Sequence, residues 1–171
     1  MGNQKMKIEI LTCGKHIKGA NAGNFMDIGY DGPLTSEAIE KFQKVMVPSF
    51  DQCFIGLMQR HRETAQALMD NHTPINSRNL IITADVGCDN AIFTLLKKRG
   101  GVQLIGENFL RFLQNQKGRF EKIFLITSRI YPLILGYCAS GGEKRYGPLS
   151  EKFIETYLPS IESGAFSSFE I

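Results

Sequence analysis

The sequence has little net charge, only three histidines, and four cysteines of which none stands close to another. Lys and Arg number 20 against 17 Asp and Glu, a formal charge of +3, and no dense basic run concentrates it. That balance excludes an electrostatic case for nucleic acid. Cys13, Cys53, Cys88 and Cys138 form no CxxC pair and no Cys/His zinc pattern. His16, His61 and His72 are equally scattered, so no metal spacing exists and no cofactor is expected. Long apolar runs are missing too. The most apolar stretch, 123–138, is interrupted by Ser128, Arg129 and Pro132 and is too short to span a bilayer. Met1 to Lys7 is polar and basic, without the apolar core of a signal peptide. The expectation is a reduced, cytoplasmic protein with free thiols, bound neither to membrane nor to nucleic acid.

What is present is an ordinary globular composition, 43% hydrophobic and 22% charged over 171 residues. This length fits one domain, 1–171, able to bury roughly 70 per cent of the surface its unfolded chain exposes. It needs neither disulfide nor metal to hold a core.

Apolar runs alternate with helical patterns. Lys7 to Leu11 reads as a buried strand that ends abruptly in Thr12-Cys13-Gly14. The segment from Gly14 to Gly32 carries five glycines and reads as a long loop. Pro33 and an N-cap at Thr35 open a helix with Ala38, Ile39, Phe42, Val45 and Met46 on one face, stopped by Pro48. Gln52 to Leu57 reads as a strand. Gln59 to Asp70 reads as a helix with Thr64, Ala65, Leu68 and Met69 inward. Leu80 to Thr83 is a short strand.

Asp89 or Asn90 caps a helix through Leu96, closed at Gly100-Gly101, and Gly106 to Gln116 forms the next. Lys122 to Thr127 is a strand and Ile130 to Cys138 a helix. Gly141 to Gly147 is a loop, and Tyr157 to Ile171 is irregular with an edge strand. Such alternation predicts an α/β fold, a three-layer α/β/α sandwich around a mostly parallel sheet. In open sheets of this kind ligands sit outside the carboxyl ends of the strands, so Thr12, Cys13 and Gly14 are the first place to look for chemistry.

Several segments, taken in order, resemble the histidine phosphatase superfamily, the phosphoglycerate mutase-like fold. That family opens with a strand ending in R-H-G, continues with a D-x-P-L-T helix start and an L-x-R-x-x-x-T-A stretch, and ends a later strand in a second H-G. Here DGPLTSEA, 31–38, is similar to the helix start. MQRHRETAQAL, 58–68, is similar to the L-x-R-x-x-x-T-A stretch, with Arg60, Thr64 and Ala65 in place. GENFLRFL, 106–113, resembles the G-E-S helix, FLITSR, 124–129, sits where the second H-G strand belongs, and SGAFSSFEI resembles the usual chain end. The likeness spans almost the whole chain.

The resemblance implies phosphoryl transfer in which the first His attacks phosphorus, two Arg and the second His balance the phosphoryl charge, and an acidic residue protonates the leaving oxygen. Residue by residue, R-H-G becomes Thr12-Cys13-Gly14 and the second H-G becomes Ser128-Arg129. Only Arg60 keeps its chemistry, and the acid falls at Asp85 or Asp89. Removing one preorganised donor from such a site costs roughly 100- to 1000-fold in rate. The expectation is therefore an inactive, histidine-phosphatase-like pseudoenzyme. Its pocket, at Thr12, Cys13, Gly14, Arg60, Asp85, Ser128 and Arg129, would hold a phosphorylated or anionic small molecule in a binding or regulatory role.

Two alternatives stand beside it. One is a divergent phosphatase that uses Cys13 as nucleophile beside Arg60, against the simpler reading of a small thiol filling a vacated volume. The other is a structural or interaction protein with no ligand in the cleft. His16 reads as a solvated loop histidine, His72 as a surface residue, and His61 as pointing away from Arg60 around its helix. Ser128 could donate to the same anion, and Arg129 could enter the pocket or plug it. The loop after Gly14 lacks a P-loop ending and would be a wall of the pocket.

Overall fold

The protein is described from a computed structural model covering residues 5–17, 32–71, 73–87, 94, 98 and 100–171. Among these residues five strands form one sheet: β1 (Lys7–Thr12), β2 (Gln52–Ile55), β3 (Leu80–Ile82), β4 (Lys122–Thr127) and β5 (Phe166–Glu170). Their order is β3-β2-β4-β1-β5, with every neighbouring pair parallel except the edge pair β1–β5. The helices are α1 (Ser36–Phe42), α2 (Gln59–Met69), α3 (Gly101–Gln116), α4 (Ile130–Ala139), α5 (Glu143–Tyr146) and α6 (Glu151–Tyr157).

Strand side chains alternate between two faces, and each face is packed. Ile8 and Ile10 of β1 with Ile123 and Leu125 of β4 meet Phe109 and Leu113 of α3, Ile134 of α4 and Phe153 of α6. Leu11, Phe124 and Ile126 meet Phe42 of α1 and Ala65 and Leu68 of α2. A sheet apolar on both faces needs cover on both, which is the three-layer arrangement expected from the sequence.

Local chemistry explains most boundaries. Thr35 caps α1, its hydroxyl accepting the Ala38 amide at 3.3 Å. The α1 helix stops at Phe42, short of the expected reach to Pro48, and Met46 is 90% exposed rather than inward. Gln43 and Lys44 already turn the chain there. The α3 helix starts five residues before the expected Gly106. Gly100 enters it at φ 106°, a left-handed value that favours glycine, and Val102 and Ile105 extend the buried stripe of Phe109 and Phe112.

The expected loop 141–147 contains the short α5, held by ring contacts of Tyr146 with Tyr137, Phe153 and Tyr157. The helix expected from Asp89 or Asn90 to Leu96, and the loop residues 18–31, lie outside the described residues, apart from helical Thr94. No helix among the described residues is long and apolar enough to cross a membrane.

Candidate functional site

Register brings three strand ends together. Thr12 pairs with Thr127 and Ile55 with Ile126, so Cys13, Ser128 and Gly56 leave the sheet side by side. The ladder runs one step further: the Cys13 amide donates to Thr127 O at 2.8 Å and the Gly56 amide to Ile126 O at 3.2 Å. The first turn of α2 drops into this junction. Arg60 is 2% exposed and His61 is 0% exposed.

His61 is the centre of the arrangement. Its Nε2 lies 3.3 Å from Ser128 Oγ. Its Nδ1 is buried with no hydrogen-bond partner in good geometry, although the Gly56 backbone acts on the ring as an acceptor would, favouring the protonated form. The ring fits because two neighbours lack a β-carbon. A Cβ on Gly56 would lie 2.1 Å from Nδ1, and one on Gly87 2.6 Å from Cε1. Burial pushes the His61 pKa well below its ordinary value, and the Arg60 guanidinium and then His16 push the same way, against the Gly56 backbone. The ring is therefore the neutral base near pH 7.

Thr12 has a different task. Its hydroxyl donates to Glu162 O at 2.7 Å and accepts the Ala165 amide at 3.0 Å, while the Thr12 amide donates to Ala165 O at 3.0 Å. The side chain is thus a clasp on the segment leading into β5. Cys13 is 5% exposed. Gly14 is closely packed, since a Cβ there would meet Ala38 Cβ and Phe42 Cε2 at 2.7 Å.

Arg129 donates from Nη1 to Ile161 O at 3.2 Å, which ties it to the turn after α6. Asp85 accepts from the Thr83 hydroxyl at 3.0 Å and is exposed. It lines a separate cleft of about 300 Å³ with Arg111 and Arg119 of the α3 region, not the junction around His61. Asp89, Cys88 and His72 lie outside the described residues. No group of three metal-ligating side chains occurs among the described residues.

No family model matches the sequence and no curated protein does, but solved structures match the fold. A phosphoglycerate mutase from Bacillus anthracis str. Sterne superposes with a TM-score of 0.59 at 8% identity, over 99% of this chain and 89% of that one. An alpha-ribazole phosphatase from Shigella flexneri gives 0.57 at 14% identity, over 95% and 89%.

The fold is that of the histidine phosphatases. A third histidine phosphatase-like neighbour is a phosphoserine phosphatase from Entamoeba histolytica, solved in complex with phosphoserine as a variant with one histidine replaced by alanine. It superposes with a TM-score of 0.56 at 13% identity, over 96% of this chain and 90% of that one.

Within the histidine phosphatase fold, two expectations from the sequence are corrected. His61 does not point away: it is buried at the junction and touches Ser128. His16 is not a solvated loop residue. It is half-buried with a buried Nε2, and it forms a bridge with Leu34 that joins the two ends of the 18–31 segment.

The signal for His61 was in the sequence. His61, Thr64, Ala65 and Leu68 are spaced i, i+3, i+4, i+7, one helical stripe, and a histidine heading that stripe follows it inward. For His16 no local signal exists, because its bridge partner Leu34 lies across a long connection.

Proposed function

We propose that this chain is a phospho-ligand-binding domain of histidine phosphatase fold from which the family's histidine-phosphoryl chemistry has been lost. The observation that carries the reading is the pair Arg60 and His61. Both are buried in the first turn of α2, at the carboxyl ends of β2 and β4. That is where such sheets place ligands. Arg60 supplies the fixed charge, beside the neutral ring of His61.

Turnover by the family route lacks its parts. Cys13 stands at the nucleophile position, Thr12 in place of the first arginine is bound to the 162–165 backbone, and Ser128 replaces the second histidine. The phosphoserine complex of the Entamoeba variant lends support to a pocket of this fold holding its ligand with a histidine missing. A binding or regulatory role follows, with a phosphorylated small molecule as ligand.

Two measurements test this. Wild type, Cys13→Ser and Arg60→Ala should show no turnover above blank on an aryl phosphate or a phosphohistidine peptide. Calorimetric titration with phosphoserine should give saturable binding that Arg60→Ala weakens by about 10-fold or more, the scale of a lost charge-assisted hydrogen bond. Turnover abolished by Arg60→Ala, or no phosphoserine binding at millimolar concentration, would sink the reading.

A further inference from the structure

We propose that His61 and Ser128 form a catalytic dyad in which Ser128 Oγ is a nucleophile toward carboxylic esters. The geometry has the first contact that a serine nucleophile needs, and a ring packed in place behind it. Nε2 stands 3.3 Å from Oγ, within the looser range of a site without substrate. The opposite face of the ring is fixed by its seat against Gly56 and Gly87, neither of which leaves it room to turn. The dyad takes the tautomer with the proton on Nδ1, in which Nε2 presents its lone pair to the serine.

Position adds to this. Ser128 follows the last residue of β4 and precedes Ile130, the first residue of the ten-residue α4. A serine on a tight strand-to-helix turn, half-buried rather than sealed, is open to a reactant while its base is not. At the head of α4 the Tyr131 amide donates to Ser128 O at 3.2 Å and the Leu133 amide to Arg129 O at 3.4 Å, and Pro132 has no N–H, which leaves the Ile130 amide beside Ser128. That amide would meet the negative oxygen of a tetrahedral intermediate.

The choice of carbonyl over phosphorus follows from charge. A phosphate monoester dianion needs several cations around it, and of the family pattern's three charge-balancing positions this site keeps only Arg60. A carboxylic ester is neutral at the reacting carbon and needs only the base and the oxyanion donors. Resting on the proposed role of Arg60, the ester would carry an anionic group, which that arginine holds.

The step balances without a further reagent. Oγ bonds to the carbonyl carbon as its proton passes to Nε2, and the C–O bond to the alcohol then breaks as the alcohol takes that proton. Water, deprotonated by the same Nε2, next attacks the acyl carbon; the bond to Oγ breaks, Nε2 returns the proton to Oγ, and the acid leaves. Arg60 and His16 are the charged or titratable groups acting on the ring, and both oppose its protonation, which keeps the base form available.

The test is covalent labelling of the full chain with an alkyl fluorophosphonate, read by peptide mass spectrometry, beside hydrolysis of a nitrophenyl ester of succinic acid. The expected result is one adduct, on Ser128, absent in Ser128→Ala and formed about 100-fold more slowly in His61→Gln, the lower end of general-base effects. The wild-type labelling rate should fall at acid pH as His61 protonates and level off above it. If His61→Gln does not fold, that pH profile decides. A rate climbing steadily with hydroxide, an unchanged rate in folded His61→Gln, or no adduct on Ser128 overturns the dyad. Phosphoserine protection, lost in Arg60→Ala, supports both readings. Labelling of Ser128 without such protection supports the dyad and refutes the anion site.

Discussion

The ring of His61 occupies the space that a β-carbon on Gly56 would need, with Nδ1 2.1 Å from where that carbon would sit. Gly87 closes the other side at 2.6 Å from Cε1. One helix residue and two glycines from separate turns are thus a single packed unit.

Gly56→Ala should therefore destabilise the fold by about 1–3 kcal/mol, the usual cost of overpacking a full site. In a His61→Ala background the same change should cost much less, because the volume has been vacated. Urea unfolding of the four proteins gives the coupling, expected at roughly 0.5–3 kcal/mol. Additive effects would mean that the two residues do not compete for space.

Acid should weaken the fold through the same residue. The unfolded chain titrates His61 near 6.5 and the folded chain well below that. Between those values the unfolded state holds more protons, so stability rises with pH. The stabilisation is complete above about pH 6.5 and is lost as pH falls toward the folded value, at up to about 1.4 kcal/mol per pH unit for one proton. Denaturant midpoints for wild type and His61→Gln between pH 4.5 and 7.5 should diverge in slope. Parallel curves would show that His61 is not the group responsible.

Thiol reactivity should separate the cysteines. Cys138 is exposed, while Cys13 and Cys53 are buried, and burial raises the Cys53 thiol pKa strongly. Iodoacetamide at pH 8 should modify Cys138 in the native protein and reach Cys13 and Cys53 only as the protein unfolds. Peptide mapping over time reads this directly. Rapid, phosphate-sensitive alkylation of Cys13 would instead revive it as a nucleophile.

Much of the fold was legible in the chain. The runs ending at Leu11 and Thr127 alternate so that both faces are apolar, and they became two adjacent interior strands, β1 and β4. Thr35 is the N-cap it was expected to be. The misreadings have physical causes. Met46 continues the α1 pattern, but the backbone turns at Gln43 before the pattern can be used. Gly100-Gly101 reads as a stop, yet a left-handed Gly100 serves equally well as the entry to α3. The α5 turn has no apolar stripe of its own and is held by aromatic rings from its neighbours.

The site divides the same way. Residue order alone set Arg60 against the arginine of the family pattern, and Cys13 and Ser128 against its two histidines. The stripe His61, Thr64, Ala65, Leu68 could also be read from the sequence. Side-chain alternation and helical periodicity are local properties, so the sequence by itself determined the strands, the layers and which face of α2 turns inward. What that face meets is non-local. Only the tertiary structure decided that α2 begins at the junction of three strand ends and that Gly56 and Gly87 leave a ring-sized gap there. It alone set Ser128 against the buried imidazole, because those contacts join residues up to 67 apart in the chain, and their distance depends on register and packing rather than on any neighbouring residue.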